Sequence, residues 1–390
     1  MFDGALTDEE RLLRDTVRDF AERELVPGAA ERDEAERYDR SLFRALADLG
    51  LAGAPFPVEL GGGGITYRAW TLVMEELGAA DMAMAVSLSV HVLSQAPVVH
   101  WGTAEQHQRW LAPMLRGERL GAFALTEPEA GSDAAAIRLR ATRIGPAGAP
   151  TAYRLDGSKI WISNVPEAEH HLVFATLDPG AGPSAITAFL VEKGTPGFRA
   201  GWRERKLGIR ANPASEITFE GVELPVANRL GGEGDGYRIA LSSLGDGRIS
   251  IAAACTGLAR AALEAAAMYC AQRTAFGGPL IEQQGVRFML AEMERRVAAA
   301  RALTREAAEA KDRGDSIAEA SSLAKWTASD AAMSVASDAV QLFGAAGYSR
   351  ENPVERYLRD AKGAQIYEGT NQIHRLIVAD QLLRRLDLEG

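Results

Sequence analysis

Cysteine is scarce in this chain. Among 390 residues there are two, Cys255 and Cys270, both inside one Ala-rich helical pattern and without CxxC or zinc spacing. They read as buried packing residues; no disulfide framework and no oxidising compartment is implied. The six histidines show no metal-ligand spacing either. His170 and His171 are neighbours and fall on opposite faces of any strand, so no metal site is expected. The glycine-rich run Gly232–Gly236 lacks the GxGxxG order after a strand, which argues against a Rossmann turn. A phosphate-loop GxxxxGK[ST] and a hydrolase GxSxG elbow are both missing. Positive charge is short as well: 43 Lys and Arg stand against 53 Asp and Glu, a net charge of −10. With no basic tail or stripe to offset it, nucleic acid is not an expected partner, and an anionic ligand must be met by local cations. No apolar run reads as long enough to span a bilayer, and Met1–Leu6 is neither basic nor followed by an apolar run. No membrane and no targeting segment are therefore expected, and the default location is cytoplasmic.

What is present is ordinary for a globular protein: 47% hydrophobic and 25% charged residues, with length enough for two or three packed units. Thr7 and Glu10 form a capping box, and Leu13, Val17, Phe20 and Ala21 recur at helical spacing until Pro27. A second helix runs through Leu42, Phe43, Leu46 and Leu49 and stops at Gly50. Trp70, Val73, Met74 and Leu77 mark a third, and Met82–Trp101 a buried fourth. Residues 1–120 read as a helical domain. The period then changes to two. Ile137–Ala141 alternates, and Tyr153–Ile162 carries Asp-Gly between two strand-like runs, a hairpin signal. Leu172–Ala175, Ile186–Val191 and Glu216–Phe219 are further strands, so 121–230 reads as a middle β domain, barrel-like or sandwich-like. From Gly236 onward long helical patterns return over Ile249–Gln272, Val286–Arg313 and Ile317–Phe343. They predict a four-helix bundle over 231–390 and an α+β fold overall.

The richest stretch lies near the end, RDAKGAQIYEGTNQIHRL, Arg359–Leu376. Glu368 falls in a sharp break between one helical pattern (Val354, Leu358, Ile366) and another (Ile373, Leu376, Ile377). Gly369 supplies the permissive backbone, and Thr370 or Asn371 can cap the next helix. A carboxylate beside free N–H groups can remove a proton while the amides stabilise the oxyanion that forms. Read alone, a glutamate in an interhelix turn is simply solvated. Its sequence company changes that.

Six segments follow one another in order: LTEPEAGSD (Leu125–Asp133), KIWISN (Lys159–Asn164), LGDGR (Leu244–Arg248), RTAFG (Arg273–Gly277), QLFGAAGY (Gln341–Tyr348) and IYEGTNQIHRL (Ile366–Leu376). Together they resemble the acyl-CoA dehydrogenase family, and the similarity extends over nearly the whole chain from Thr7. The resemblance implies a three-domain fold and FAD-dependent oxidation of the Cα–Cβ bond of an acyl-CoA. Its electrons would pass to an electron-transfer flavoprotein, in fatty acid or branched-chain amino acid catabolism. It implies Glu368 as the base for the α-proton, with hydride passing from Cβ to flavin N5 to give the trans-2-enoyl-CoA. The Glu368 N–H and a flavin ribityl hydroxyl would be the oxyanion donors. Some relatives carry the base just before the arginine matching Arg248. Here that position is Gly247, which cannot serve, and the Gly-Arg pair makes the chain look like short-chain and branched-chain members.

The same resemblance implies the rest of the site. Phe123, Leu125 and Thr126, with Trp161, Ile162 and Ser163, would hold the flavin; without it Trp161 reads as a core strand residue. Ser132 would touch the cofactor and the CoA arm, although with Asp133 it also reads as a capped turn. Arg273, Phe276 and Gln284 would bind the FAD pyrophosphate and adenosine, the planar guanidinium fork suiting a diphosphate. Unaided, Arg273 is a helix-end cation. Gln341, Leu342, Phe343, Gly344 and Ala345 would come from a neighbouring subunit, in a homotetramer with shared FAD sites. Ala345 stands where the family commonly has glycine. Thr370, Asn371 and Gln372 complete the cofactor set. Gly245, Asp246, Gly247, Arg248, Tyr367 and Gly369 would border the substrate, Arg248 having the plainer alternative of pairing with Asp246 or a helix carbonyl.

Other readings stay open. An acyl-thioester oxidase, or a dehydrogenase of acyl groups held on a carrier protein, would share this fold. Flavin-dependent monooxygenases of the same fold generally lack the glutamate base. A non-enzymatic DNA-damage-response relative would want a basic surface. Acyl chain length is not legible, because one methylene is worth only ~1–3 kcal/mol of discrimination.

Overall fold

Thr7 accepts from the Glu10 N–H while the Glu10 side chain bonds back to the Thr7 N–H, and α1 (Asp8–Phe20) follows. The structure, a computed structural model, describes residues 6–388. Met1–Ala5, read above for a targeting signal, therefore lie outside the described residues. Helices α2 (Ala29–Glu34), α3 (Arg40–Asp48), α4 (Tyr67–Ala80), α5 (Met82–Trp101), α6 (Ala104–Gln106) and α7 (Ala112–Leu115) make up the rest of the first part. Gly50, just past α3, takes a left-handed φ of 78°, the C-terminal stop its sequence predicts.

The middle part is one eight-stranded mixed sheet. Its strands are β1 (Gly121–Ala124), β2 (Arg140–Ile144), β3 (Ala152–Ser163), β4 (His170–Thr176), β5 (Ile186–Glu192), β6 (Phe198–Arg203), β7 (Ala214–Pro225) and β8 (Arg229–Leu230). The order is β6-β7-β3-β2-β4-β5-β8, with β1 parallel to β4. Only the pair Arg140–Thr176 joins β2 to β4, so two antiparallel halves meet at one point. β4 is buried along its whole length, which explains its unbroken apolar run.

Two strand expectations need correction. Asp156-Gly157 does not turn a hairpin: β3 runs straight through it and pairs with β7. Gly157 takes a φ of 137° beside a register shift, and Asp156 accepts the Gly221 N–H of the partner strand at 2.8 Å. Tertiary pairing has overridden the local turn signal. The strand read from Ile137 begins at Arg140 instead, because the Arg138 and Leu139 N–H groups are taken by the Glu127 carboxylate. Strands β1, β6 and β8 gave no signal strong enough to be read.

The last part contains α8 (Gly236–Gln272), a small hairpin of β9 (Thr274–Ala275) and β10 (Gly278–Pro279), then α9 (Gln284–Asp312), α10 (Ala318–Phe343), α11 (Val354–Ala364) and α12 (Asn371–Arg385). The fourth member of the bundle is the broken pair α11–α12. α8 starts earlier than its pattern suggested, so Leu244–Arg248 lies inside this helix and not ahead of it. α4 crosses α8 backbone to backbone. A Cβ on Gly257 would lie 1.9 Å from the Glu75 carbonyl oxygen, and one on Gly78 2.2 Å from that of Ala254. By length and composition alone α5 and α8 could each cross a membrane, contrary to the expectation that no run is long enough. Their most apolar windows are 94% and 72% buried inside the protein, which accounts for their composition.

Candidate active site

Between α11 and α12 the chain takes two successive left-handed residues, Glu368 with φ 54° and Gly369 with φ 91°. Glycine adopts this freely. A non-glycine residue there is strained by about 1–3 kcal/mol, and such strain gathers at functional sites. The turn is closed by Ile366 and Tyr367 N–H groups to the Gly363 carbonyl and by Asn371 N–H to that of Gln365. Thr370 caps α12 through the Ile373 N–H. The Glu368 N–H has no protein acceptor among the described residues, which leaves it free to bond a ligand oxygen.

Both Glu368 carboxylate oxygens are buried and without a hydrogen-bond partner among the described residues. Burial pushes the group up to about 7, against the pull of the Lys325 and Arg248 charges. Such a carboxylate is a stronger base than a solvated one. Arg248 is also buried; burial lowers its proton affinity and the Glu368 charge opposes that. Its guanidinium reaches Ser322 Oγ at 3.4 Å, not Asp246, which Lys311 takes at 2.8 Å. Gly247 lies directly against the base: a Cβ there would stand 2.6 Å from Glu368 Oε2. Gly245 turns elsewhere, its missing Cβ 3.0 Å from Ile317. Four of the six residues read as bordering the substrate thus surround Glu368: Gly247, Arg248, Tyr367 and Gly369. Gly245 and Asp246 face Ile317 and α9, and Asp246 is already neutralised.

The structure adds residues that the sequence reading missed. Lys325, fully buried in α10, donates to the Gly369 carbonyl at 2.7 Å. Asn371 is held on both ends of its amide by Ser329, Asp330 and Lys325, so its side chain is occupied inside the protein and not open to a cofactor. Gln372 beside it is exposed. Only one signal pointed here, a lysine in phase with Ser321, Ala328 and Ala332 on an otherwise small, apolar helix face.

The two β segments read as flavin contacts meet. Ile160 N–H bonds the Thr126 carbonyl at 3.0 Å, and Lys159 Nζ reaches the Leu125 carbonyl at 2.8 Å and Glu127 at 2.7 Å. Glu127 also accepts the Arg138 and Leu139 N–H groups; this buried anchor was not read from the sequence. Between Lys159 and Ile162 the strand carries a bulge, where Trp161 takes a φ of 59°. A bulge re-aims one side chain, and Trp161 is 54% exposed, not the core residue its pattern suggests. Ile162 is buried, Ser163 and Thr126 are half-buried, and Phe123 packs on Phe174 with ring centroids 5.0 Å apart. Ser132 and Asp133 are exposed.

The remaining predicted contacts lie at another end of the bundle. Arg273 ends α8 in solvent. Phe276 and Gly277 form the two-residue turn between β9 and β10 with φ of 52° and 88°, and Phe276 is 94% exposed. Gln284 opens α9, also exposed. Tyr269 stacks on Phe343 at 4.1 Å, so the ends of α8 and α10 are adjacent. Leu342 and Phe343 are buried there, which limits them to backbone contacts, whereas Gln341, Gly344 and Ala345 face solvent. Along α8, Arg248 and Gln272 stand about 36 Å apart at the helical rise.

Comparison with known proteins shows the family to which this fold belongs. Sequence profiles of three domains match in order: acyl-CoA dehydrogenase N-terminal domain over residues 7–118, middle domain over 122–222 and C-terminal domain over 234–383. An acyl-CoA dehydrogenase of Bacillus subtilis (strain 168) is 44% identical over 379 residues, covering 97% of this chain and 99% of that protein. The solved butyryl-CoA dehydrogenase of Megasphaera elsdenii is 42% identical with a TM-score of 0.94, covering 97% and 99% of the two chains. A chain solved in work on the electron transferring flavoprotein of Acidaminococcus fermentans and flavin-based electron bifurcation is 43% identical, again with a TM-score of 0.94 and coverage of 97% and 99%. Matched domain by domain and over nearly its full length, the chain belongs to the acyl-CoA dehydrogenase family.

Proposed function

We propose that the chain oxidises the Cα–Cβ bond of a short-chain acyl-CoA, with Glu368 as the base. The observation that carries this reading is a buried carboxylate on a strained turn, which with its backbone N–H has no hydrogen-bond partner among the described residues. The α-proton of a thioester is weakly acidic, so its removal needs a strong base together with stabilisation of the enolate oxygen. Glu368 supplies the base, and its own N–H donates to the thioester oxygen as charge develops there. The Cα–H pair of electrons becomes the new double bond as hydride leaves Cβ, and the proton remains on Glu368. Arg248 and Lys325 stabilise the carboxylate before transfer. Gly247 leaves the space in which that carboxylate sits.

FAD is the cofactor of this reading, and when bound it supplies the acceptor for the β-hydride. The residues fit such a group. Trp161, re-aimed by its bulge, offers an exposed aromatic wall beside Thr126 and Ser163. Phe276 is an exposed aromatic held at a positive φ, which a purely structural turn would give to Asn or Gly. Arg273 offers a diphosphate two parallel N–H donors. The span between Arg273 and Glu368 supports sharing each site between two copies, and the exposed Leu376, Leu382 and Leu383 of α12, with Leu386 just past its end, offer apolar surface for a homotetramer. The family's three domains are taken as 1–120, 121–230 and 231–390, and the location as cytoplasmic. The Megasphaera relative favours butyryl-sized substrates, and the Acidaminococcus chain favours an electron-transferring flavoprotein as acceptor.

Anaerobic mixing of the purified yellow protein with butyryl-CoA should bleach its flavin. The rate should rise with pH through about 7, since the base works only when ionised and stays protonated below that value. A flavin-free preparation that cannot be reconstituted, or a flavin untouched by butyryl-, hexanoyl- and isobutyryl-CoA, would overturn the reading. Arg273→Ala tests the cofactor site. Loss of a charge-assisted pair worth about 1.5–3 kcal/mol should weaken FAD retention roughly 10- to 100-fold, read as flavin fluorescence released on dilution. Unaltered retention would remove Arg273 from the diphosphate contact.

A further inference from the structure

Lys325 is a buried cation of the site whose hydrogen bonds the reaction as described leaves unexplained. Its Nζ donates to the Gly369 carbonyl at 2.7 Å and to Asn371 Oδ1 at 3.3 Å. Asn371 Nδ2 in turn donates to Ser329 Oγ at 3.0 Å and to Asp330 at 2.8 Å, and Asp330 accepts from the Gln365 amide at 2.6 Å. One partly buried network from α10 thereby grips the chain on both sides of Glu368: at Gln365 before it, and at Gly369 and Asn371 after it. The grip matters because Glu368 sits at positive φ, a conformation that a non-glycine residue keeps only when its surroundings impose it.

A carbonyl can be held by a neutral donor. Burying an ammonium instead carries a penalty of several kcal/mol unless a charge nearby compensates it. The compensating charges are Glu368, whose carboxylate oxygens have no hydrogen bond among the described residues, and Asp330. Lys325 faces Cys255 and Arg248 from α8, Glu368 from the turn, and Asp330 on its own helix, with His374 of α12 close by. Burial keeps Cys255 as a thiol, pushed up to about 12. His374 is held down to about 3 and is neutral. Burial brings Lys325 down to about 8, so at neutral pH it carries its charge. Arg248 is the other cation beside the base.

We propose that Lys325 is a positioning residue: its bond to the Gly369 carbonyl fixes the turn that aims Glu368, and its charge stabilises the carboxylate anion. This rests on the dehydrogenation assigned above.

Three variants separate the two roles. Lys325→Met removes donor and charge, Lys325→Gln removes the charge but keeps a donor, and Lys325→Arg keeps both. Each is examined as the FAD-loaded protein by stopped-flow reduction with butyryl-CoA across pH. Each is also examined without substrate, by infrared titration of the Glu368 carboxyl band, identified by its loss in Glu368→Gln. Lys325→Met should reduce its flavin about 10- to 100-fold more slowly, as for a misaimed reacting group, with substrate affinity within about threefold. In Lys325→Met and Lys325→Gln, the acid limb and the infrared midpoint should both move up by about one unit or more, the effect of losing a neighbouring opposite charge. In Lys325→Arg both should stay in place. An unmoved infrared midpoint in Lys325→Met, or in Lys325→Gln if the Met variant does not fold, overturns the proposal. The infrared titration needs no turnover, so it judges Lys325 even if butyryl-CoA leaves the wild-type flavin oxidised, an outcome that would count against the dehydrogenase reading alone.

Discussion

Glu368→Gln should give a folded, yellow protein that binds acyl-CoA and reduces its flavin about 10²–10⁴-fold more slowly than wild type. The fold should tolerate the change because the two carboxylate oxygens make no hydrogen bond among the described residues. An uncharged amide also relieves the desolvation that pushes the carboxyl up to about 7. What the variant loses is the ability to accept the α-proton. Substrate affinity should change little, because the Glu368 N–H stays in place to meet the thioester oxygen. The split between slowed reduction and retained binding identifies an interaction made in the transition state. Stopped-flow reduction with butyryl-CoA measures the first, and the spectral shift of flavin on binding measures the second. Reduction at the wild-type rate would clear Glu368 of the role.

Glu127→Ala should destabilise the protein by about 3–5 kcal/mol, the usual effect of breaking a buried ion pair from one side. Glu127 is 6% exposed and Lys159 0%, so the abandoned ammonium has no water to turn to. Burial already brings Lys159 down to about 8. The Arg138 and Leu139 N–H groups lose their acceptor in the same stroke. Lys159→Met should be milder, since Glu127 would keep both backbone donors. The double change Glu127→Gln with Lys159→Met should recover part of the loss, because paired removal leaves no orphan charge. Thermal unfolding followed by protein fluorescence reads the stability. Flavin fluorescence in the same scan reads the cofactor segments, which Lys159 joins through Leu125. A Glu127→Ala protein that melts with wild type would show that the pair holds nothing.

These two residues also mark what a sequence reveals and what it hides. The helices of the first part were legible because Thr7–Glu10, Leu42–Leu49 and Trp70–Leu77 obey helical spacing and carry their own caps and stops. Glu368 was legible because two helical phases break around it and a glycine follows. The Lys159–Glu127 pair joins two segments distant along the chain, and neither residue breaks a local pattern. Asp156-Gly157 carried a correct local preference that pairing with β7 overrode. The bulge that exposes Trp161 exists only in the register between β3 and β7, which no single strand records. Lys325 was concealed differently: among small helix residues a lysine looks like a surface position, until the broken fourth helix closes over it. Gly247 was read as unable to act as base, which is true; that it makes room for one appears only in three dimensions.

That last contact ties the fates of two positions together. A Cβ on residue 247 and the carboxylate of residue 368 compete for one volume, so substitutions at the two are epistatic. A larger residue at 247 pushes the carboxylate aside unless 368 has already become smaller, and the order of the two mutations decides whether every step along the way can still react. Drift at either position is therefore constrained by its counterpart, far apart in sequence though they are.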